Sequence, residues 1–253
     1  TIPQAPKIEY KELLYWEDTL HPNNKYSENQ NIVVSSDMDL KPVYKNLKVV
    51  SLYLDSNSPT YLPDFSSALN YAKGKNFRNI TLELLENYSL TDKDILTLMS
   101  FNENNVNLTI RGCNEDIILK IDDSINLSVN TKFESIVFDY DKTNTHGIYA
   151  RGHRLEMGEN ISMKGLRAPI LLGGENKKDV KKSEIIVKSG TYSAIYGGGF
   201  SEYSGVHGDI TIDLYDGEVV GDIYAGSHNT GLITCGQTNI NLRGGTVSGI
   251  VSG

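Results

Sequence analysis

Five carboxylates fall within fourteen residues of this chain: Asp209, Asp213, Asp216, Glu218 and Asp222. Hydrolysis of a glycosidic bond needs two such groups, one to protonate the leaving oxygen and one to attack or to activate water. Asp216 and Asp222 flank Gly217 and are the catalytic candidates, set by that glycine on one rim. The same carboxylates suit Ca²⁺, which takes several oxygen ligands, and Lys188 or Arg243 would then be the base of an elimination. Nothing in the spacing joins a calcium cluster to a base, so no metal ion and no cofactor is expected. Solvated turn carboxylates are the ordinary alternative. A second constellation is aromatic. Tyr196 and Tyr224 each precede small residues, Gly197-Gly198-Gly199 and Ala225-Gly226-Ser227, with Tyr203 and Tyr215 nearby. Flat glycine surface beside tyrosine rings lets a sugar ring stack, and Asp213 would accept from its hydroxyls. Tyrosines that simply pack on one another are the plain alternative.

Other chemistry is less marked. His207 and His228 fall in equivalent loops, but the histidines at 21, 146, 153, 207 and 228 have no metal-ligand spacing. Gly197-Gly198-Gly199 lacks the Lys-Ser/Thr and the helix of a phosphate loop. Cys113 and Cys235 match no metal pattern and read as small buried hydrophobes. Asn79-Ile80-Thr81 and Asn107-Leu108-Thr109 are sequons inside strand patterns and read as chance in an Asn-rich chain. A net charge of −8 over 253 residues argues against a nucleic-acid partner, whose phosphates require clustered cations. The basic run from Lys177 to Lys182 reads as a solvated turn. No stretch approaches the ~20 apolar residues of a membrane helix, so no membrane insertion is expected. The opening residues Thr1 to Pro6 lack the basic and apolar regions of a secretory leader, as in an exported protein already trimmed behind its signal. The Asn, Lys, Ile and Tyr content resembles that of proteins from low-GC bacteria.

These residues are positioned by a repeat. Segments starting at Glu184, Thr211 and Asn239 align, with Gly190, Gly217 and Gly245 spaced 27 and 28 residues apart. Ile195, Ile223 and Ile250 recur at 28 and 27. In each unit two short alternating runs meet at a glycine, the pattern of half-buried strands joined by a positive-φ bend. A propeller blade needs about 40–45 residues, so a coil of two or three strands fits the unit better. Stacked coils place Ile185, Ile212 and Ile240 in one inward ladder and Val187, Leu214 and Leu242 in another, while Lys188, Tyr215 and Arg243 line up outside. Tyr196 and Tyr224 take equivalent outward positions. Upstream, 79–84, 106–111, 117–121 and 133–138 read as strands. Tyr61 to Ala72 reads as a helix with Phe65, Ala68, Leu69 and Ala72 on one face, ended by Gly74. The expected fold is all-β: a right-handed parallel β-helix, or solenoid, with a short N-terminal capping helix.

A strand at Val49 to Asp55, a short helix and then Ile80-Thr81-Leu82-Glu83-Leu84 resembles the opening of pectin-lyase-like right-handed β-helix proteins. There the helix caps the open end of the solenoid. The Gly-Thr-Tyr and Ile-Tyr-Gly-Gly units resemble the glycine-rich coils of bacterial cell-surface and adhesin-like members. The resemblance covers residues from about 49 to 253 and is specific for fold rather than for function. The spacing of Asp216 and Asp222 also resembles that of the β-helical lacto-N-biosidase family of glycoside hydrolases, which implies a catalytic aspartate pair. Residues 1–48 fall outside the repeat and are expected to form either an N-terminal arm or extension packing on the solenoid or the end of a preceding domain, with a short helix or strand at Lys7 to Leu20. Residues 49–253 form the β-helix. Gly253 closes a repeat without a cap, so further domains of the same chain, or another chain, are expected at that end.

Because β-helices host lyases, hydrolases, adhesins and inert spacers alike, function has to come from outward residues. The leading expectation is an extracellular or cell-surface module that binds a carbohydrate or host-surface ligand through Tyr196, Tyr224, Tyr215 and Asp213. The alternative is a glycoside hydrolase using Asp216 and Asp222, and the third is a structural spacer.

Overall fold

The computed structural model describes residues 1–8, 11–46, 48–55, 58–140, 147–165, 168–175, 178–201, 204–228 and 236–253. Tyr203, His146, Lys177 and Cys235, singled out above, lie outside the described residues. The chain divides into two compact units, Thr1–Val49 and Val50–Gly253.

The first unit is a three-stranded antiparallel sheet in which Lys11–Asp18 pairs with Lys25–Tyr26 on one edge and with Leu40–Asn46 on the other. Of the two conformations expected for Lys7 to Leu20, the strand is the one adopted. Alternation along it buries Trp16 and Asp18. Asp18 accepts from the N–H groups of Leu20 and Asp39, both at 3.1 Å, and pairs with His21 Nδ1 at 2.8 Å. Burial alone would raise its pKa, but the bonds from His21, Asp39 and Leu20 outweigh that and hold the carboxyl below its ordinary value.

The second unit is a parallel β-helix, a solenoid of stacked parallel sheets. Its longest side is a nine-stranded sheet. Seven parallel strands run from Asn79–Leu84 to Thr238–Leu242, and Val50–Leu54 and Thr60–Leu62 add antiparallel at the N-terminal end. A second side has six strands: Ile125–Asn126, Gly147–Tyr149, Ile170–Leu172, Ala194–Tyr196, Ile223–Tyr224 and Val251–Ser252. The third side consists of a four-stranded sheet followed, in later coils, by the pairs Thr191–Tyr192, Glu218–Val219 and Thr246–Val247. Inward ladders run without a break. Ile185, Ile212 and Ile240 are register partners, as are Val187, Leu214 and Leu242. Ile148, Leu171, Ile195 and Ile223 fill the interior behind the six-stranded side and are fully buried. Each such side chain contributes about 1.5–3 kcal/mol through burial. Gly190, Gly217 and Gly245 turn the corners at φ of 96°, 103° and 76°.

Three expectations are corrected. The stretch 133–138 is not one strand: Ser135, at φ 50°, breaks it into Asn130–Glu134 and Ile136–Tyr140 on different sides of the solenoid. A non-glycine corner of this kind carries no sequence signal comparable to Gly217. Ile223 pairs with Val251, not with Ile250, which is 61% exposed. Gly217 and Gly245 are followed by Gly221 and Gly249 at the same offset, so the last two units match residue for residue and the inward place falls to Val251. Cys113 is exposed rather than buried, because it follows the last strand position, Gly112, at a corner.

Helix α1, Phe65–Ala72, caps the N-terminal end and buries Phe65, Ala68, Leu69 and Ala72. A second helix, α2 (Asp92–Ser100), starts at a capping box between Thr91 and Asp94 and packs on α1 and on Ile125–Asn126. Asp94, 1% exposed, ties the cap together. It accepts from Ser66 N at 2.9 Å, Ser66 Oγ, Tyr88 Oη at 3.0 Å, Thr91 N at 2.9 Å and Thr91 Oγ1 at 2.7 Å. Burial pushes the carboxyl up, but the bonds from Ser66, Thr91 and Tyr88 prevail and lower its pKa. A depressed carboxyl stabilises the fold above the unfolded value near ~3.9 and loses that contribution as pH falls through the folded value. Asp94→Ala should therefore cost about 3 kcal/mol in urea unfolding at neutral pH. The gap to wild type should narrow once the pH drops below about 4. A Cβ at Gly217 would lie 2.7 Å from the Gly190 carbonyl oxygen, at a φ that L-residues avoid. Gly217→Ala should lower stability by about 1–3 kcal/mol, read as a lower thermal midpoint.

Candidate functional site

Alternation along each strand sends every second side chain outward, and stacking turns those positions into outward ladders. The nine-stranded and six-stranded sides carry very different ones. On the nine-stranded side the first outward position begins with an asparagine ladder. Asn107 Nδ2 donates to Asn79 Oδ1 and Asn130 Nδ2 to Asn107 Oδ1, both at 3.3 Å, and Asn130 Oδ1 accepts from Arg154 N at 3.0 Å. The sequons at Asn79 and Asn107 thus belong to a structural ladder, a role the sequence shows only as asparagine recurring at coil spacing.

Further along the same face charges pair both within a strand and between coils. Arg111 reaches Glu83 at 2.9 Å and Lys132 pairs with Glu134. Glu156, 8% exposed, accepts from Arg154 at 2.7 Å and Lys188 at 2.9 Å. The bond to Glu156 raises the Lys188 pKa, which takes this residue away from the role of a base. Asn107, Thr109, Asn130, Lys132, Arg154 and Glu156 line a shallow groove of about 160 Å³. Asp213 and Tyr215 lie on this side too. Asp213 accepts from Asn241 at 2.9 Å and pairs with Arg243 at 3.3 Å, while the Arg243 guanidinium lies 5.2 Å from the Tyr215 ring centre. The outward line of Tyr215 and Arg243 is a cation–π contact between coils.

The middle of the six-stranded side is apolar outside as well as inside. Tyr149, Ile170, Leu172, Ala194 and Tyr196 are buried there, and Phe200 and Tyr224 pack against them. Tyr196 and Tyr224 are register partners with ring centres 5.8 Å apart and planes 6° from parallel. His228 stacks on Phe200 at 4.4 Å and meets Tyr196 edge-on at 5.0 Å. Tyr196 is 6% exposed, whereas Tyr224 is half-buried. Burial, then the Asp222 carboxylate and Tyr224, raise the Tyr196 pKa. The four expected ligand-binding residues therefore divide between two sides: Tyr196 and Tyr224 on one, Asp213 and Tyr215 on the other.

Asp216 and Asp222 stand at the two ends of the strand Glu218–Val219, on different corners of the coil. Asp216 Oδ1 accepts from Gly217 N at 2.7 Å, and Asp222 Oδ1 accepts from Ile250 N of the next coil at 2.7 Å. Glycoside hydrolysis needs two carboxyls flanking one bond; here one side of the solenoid separates them. Among the described residues no group of three or more His, Cys, Asp and Glu side chains could hold a metal ion. The loop histidines have separate partners. His207 Nε2 lies 2.8 Å from Asp179 Oδ2, whose other oxygen accepts from Gly205 N, and the bonds from Gly205 and His207 lower the Asp179 pKa. Phe200 and His228 complete the aromatic cluster; Phe200 is not singled out by the sequence and His228 only as a loop histidine equivalent to His207, because a contact made from a loop follows no strand period.

Comparison with family models, with curated proteins and with solved structures finds no match.

The link between Asp222 and the tyrosine stack is measurable. Removing a nearby negative charge makes a phenol easier to ionise, so Asp222→Asn should shift the Tyr196 titration to lower pH in an alkaline absorbance or NMR titration. An unchanged titration would mean that the carboxylate does not act on the tyrosine hydroxyl.

Proposed function

We propose that this chain is a secreted or cell-surface bacterial β-helix module, of the pectin-lyase-like, glycine-rich kind, that binds glycan or a host-surface ligand without transforming it. The observation that carries this is the outward aromatic ladder of the six-stranded side, which runs from a buried Tyr196 to a partly exposed Tyr224. Aromatic faces next to glycine backbone are a common means of holding the C–H face of a sugar. Binding is favoured over hydrolysis because Asp216 and Asp222 each serve as a backbone acceptor on a separate corner. A spacer with no site would not need an aromatic ladder that reaches the surface at Tyr224. The Gly-Thr-Tyr and Ile-Tyr-Gly-Gly units resemble in sequence the glycine-rich coils of bacterial cell-surface members, and this resemblance supports the extracellular reading.

A glycan array probed with the intact chain tests the proposal. Dose-dependent binding to a subset of glycans is expected, with the bound glycans recovered at unchanged mass. Signal at background across the array would overturn binding; shortened products abolished by both Asp216→Asn and Asp222→Asn would overturn the non-catalytic role.

A further inference from the structure

In the middle of the nine-stranded side the outward side chains change length from one coil to the next. Thr109 is the register partner of Lys132, and Arg154 stands one coil beyond Asn130. The shallow groove lies at this step, where short polar groups meet two long cations. Its polarity is set by the backbone. Arg154 N donates to Asn130 Oδ1 and so fixes that amide, and the bonds from Asn130 to Asn107 and from Asn107 to Asn79 run in the same sense. Every Oδ1 of the ladder therefore accepts a bond, while each Nδ2 keeps at least one N–H unused. Thr109 is half-buried, and its hydroxyl makes no hydrogen bond among the described residues. Arg154 turns Nη2 to Glu156 and Nε to Glu184, which leaves Nη1. Lys132 pairs with Glu134 and retains further N–H groups. The one carboxylate in the lining, Glu156, is engaged on both oxygens by Arg154 and Lys188. What the groove offers a ligand is donors.

We propose that this groove is a subsite for a tetrahedral oxyanion, sulfate or phosphate, free or as an ester, independent of the glycan binding proposed above. The donors stand on three successive coils, Asn107 and Thr109, then Asn130 and Lys132, then Arg154. A planar carboxylate is held best by a guanidinium fork, and that of Arg154 is already divided between Glu156 and Glu184. Single N–H and O–H groups remain, and these suit an anion with oxygens on every side. The groove volume of about 160 Å³ admits one such group and falls short of the ~300 Å³ at which sites for drug-sized ligands begin. Lys132, Arg154 and Lys188 are balanced by Glu134, Glu156 and Glu184, so affinity rests on unused donors rather than on net charge. A Kd on the order of 1 mM is expected.

Titration of the intact chain at constant ionic strength, followed by two-dimensional amide NMR, tests the subsite. The probes are inorganic sulfate, inorganic phosphate, a glucose sulfate ester, a glucose phosphate ester and acetate. Saturable shifts are expected at the backbone N–H groups of Thr109, Asn130, Lys132 and Arg154, with acetate at least about tenfold weaker than sulfate. An ester that binds more tightly than its free anion makes the ester the ligand; the reverse makes it the free anion, and both support the subsite. Thr109→Val removes a hydroxyl that holds nothing in the chain. It should weaken sulfate about threefold with an unchanged thermal midpoint, and Arg154→Gln should weaken it about tenfold or more. Should Arg154→Gln fail to fold, because Glu156 loses a partner, Thr109→Val decides alone. Shifts that grow without saturating, or that centre on other cations such as Lys181 and Lys182, would overturn the subsite. So would acetate binding as tightly as sulfate, or sulfate affinity unchanged in Thr109→Val.

Discussion

An inward ladder in a parallel solenoid tolerates no change of parity between coils, because a slip of one residue turns every side chain to the other face. This condition governs the whole second unit. Ile185, Ile212 and Ile240 can share the interior only if the corners between them return the chain to the same phase. Gly190, Gly217 and Gly245 do so with a positive φ and with backbones close enough that a Cβ at Gly217 would collide with the coil before it. Once the interior is phased, the outward positions follow, and chemistry on the surface is limited to residues that strand parity turns out.

At the N-terminal end the stack needs another solution, because open parallel strand edges would leave donors and acceptors unpaired. Val50–Leu54 and then Thr60–Leu62 extend the long sheet in antiparallel pairing, and two helices cover the interior. A single buried carboxylate, Asp94, joins the parts by accepting from both helix starts and from Tyr88. Buried charge is tolerable there because every bond to it is charge-assisted and the donors would otherwise lack partners.

Legibility in the sequence follows the same physics. The three glycine-marked coils were readable because a corner that needs positive φ selects glycine and a two-residue period selects alternate apolar residues. Helix α1 was readable from Phe65, Ala68, Leu69 and Ala72. The corner at Ser135 was not, since a non-glycine residue there is held at positive φ by its surroundings rather than by its own preference. The register of Val251 against Ile223 was misjudged by matching residue type, where the glycine spacing was the better guide. The burial of Tyr196 was hidden for another reason. Parity shows that a side chain points outward, but not that Phe200 and His228 lie against it to form a second apolar cluster outside the solenoid.

The acidic run from Asp209 to Asp222 shows how distance along a solenoid misleads. Neighbours in sequence are carried round successive corners and end on different sides, whereas neighbours in space are about one coil apart. Glu83 and Arg111, Asn79 and Asn107, Ser66 and Asp94, Asp179 and His207, Asp213 and Asn241, and Asp222 and Ile250 are all bonded at a separation of 28 residues. Five carboxylates within one coil therefore make a poor catalytic cluster: Asp209, Asp213 and Asp222 each turn to the following coil instead. The tyrosine stack obeys the same spacing, with Tyr196 and Tyr224 one coil apart and Ser252 one coil further. A residue set that meets a ligand on this fold has to be assembled at coil intervals, not from neighbours in sequence.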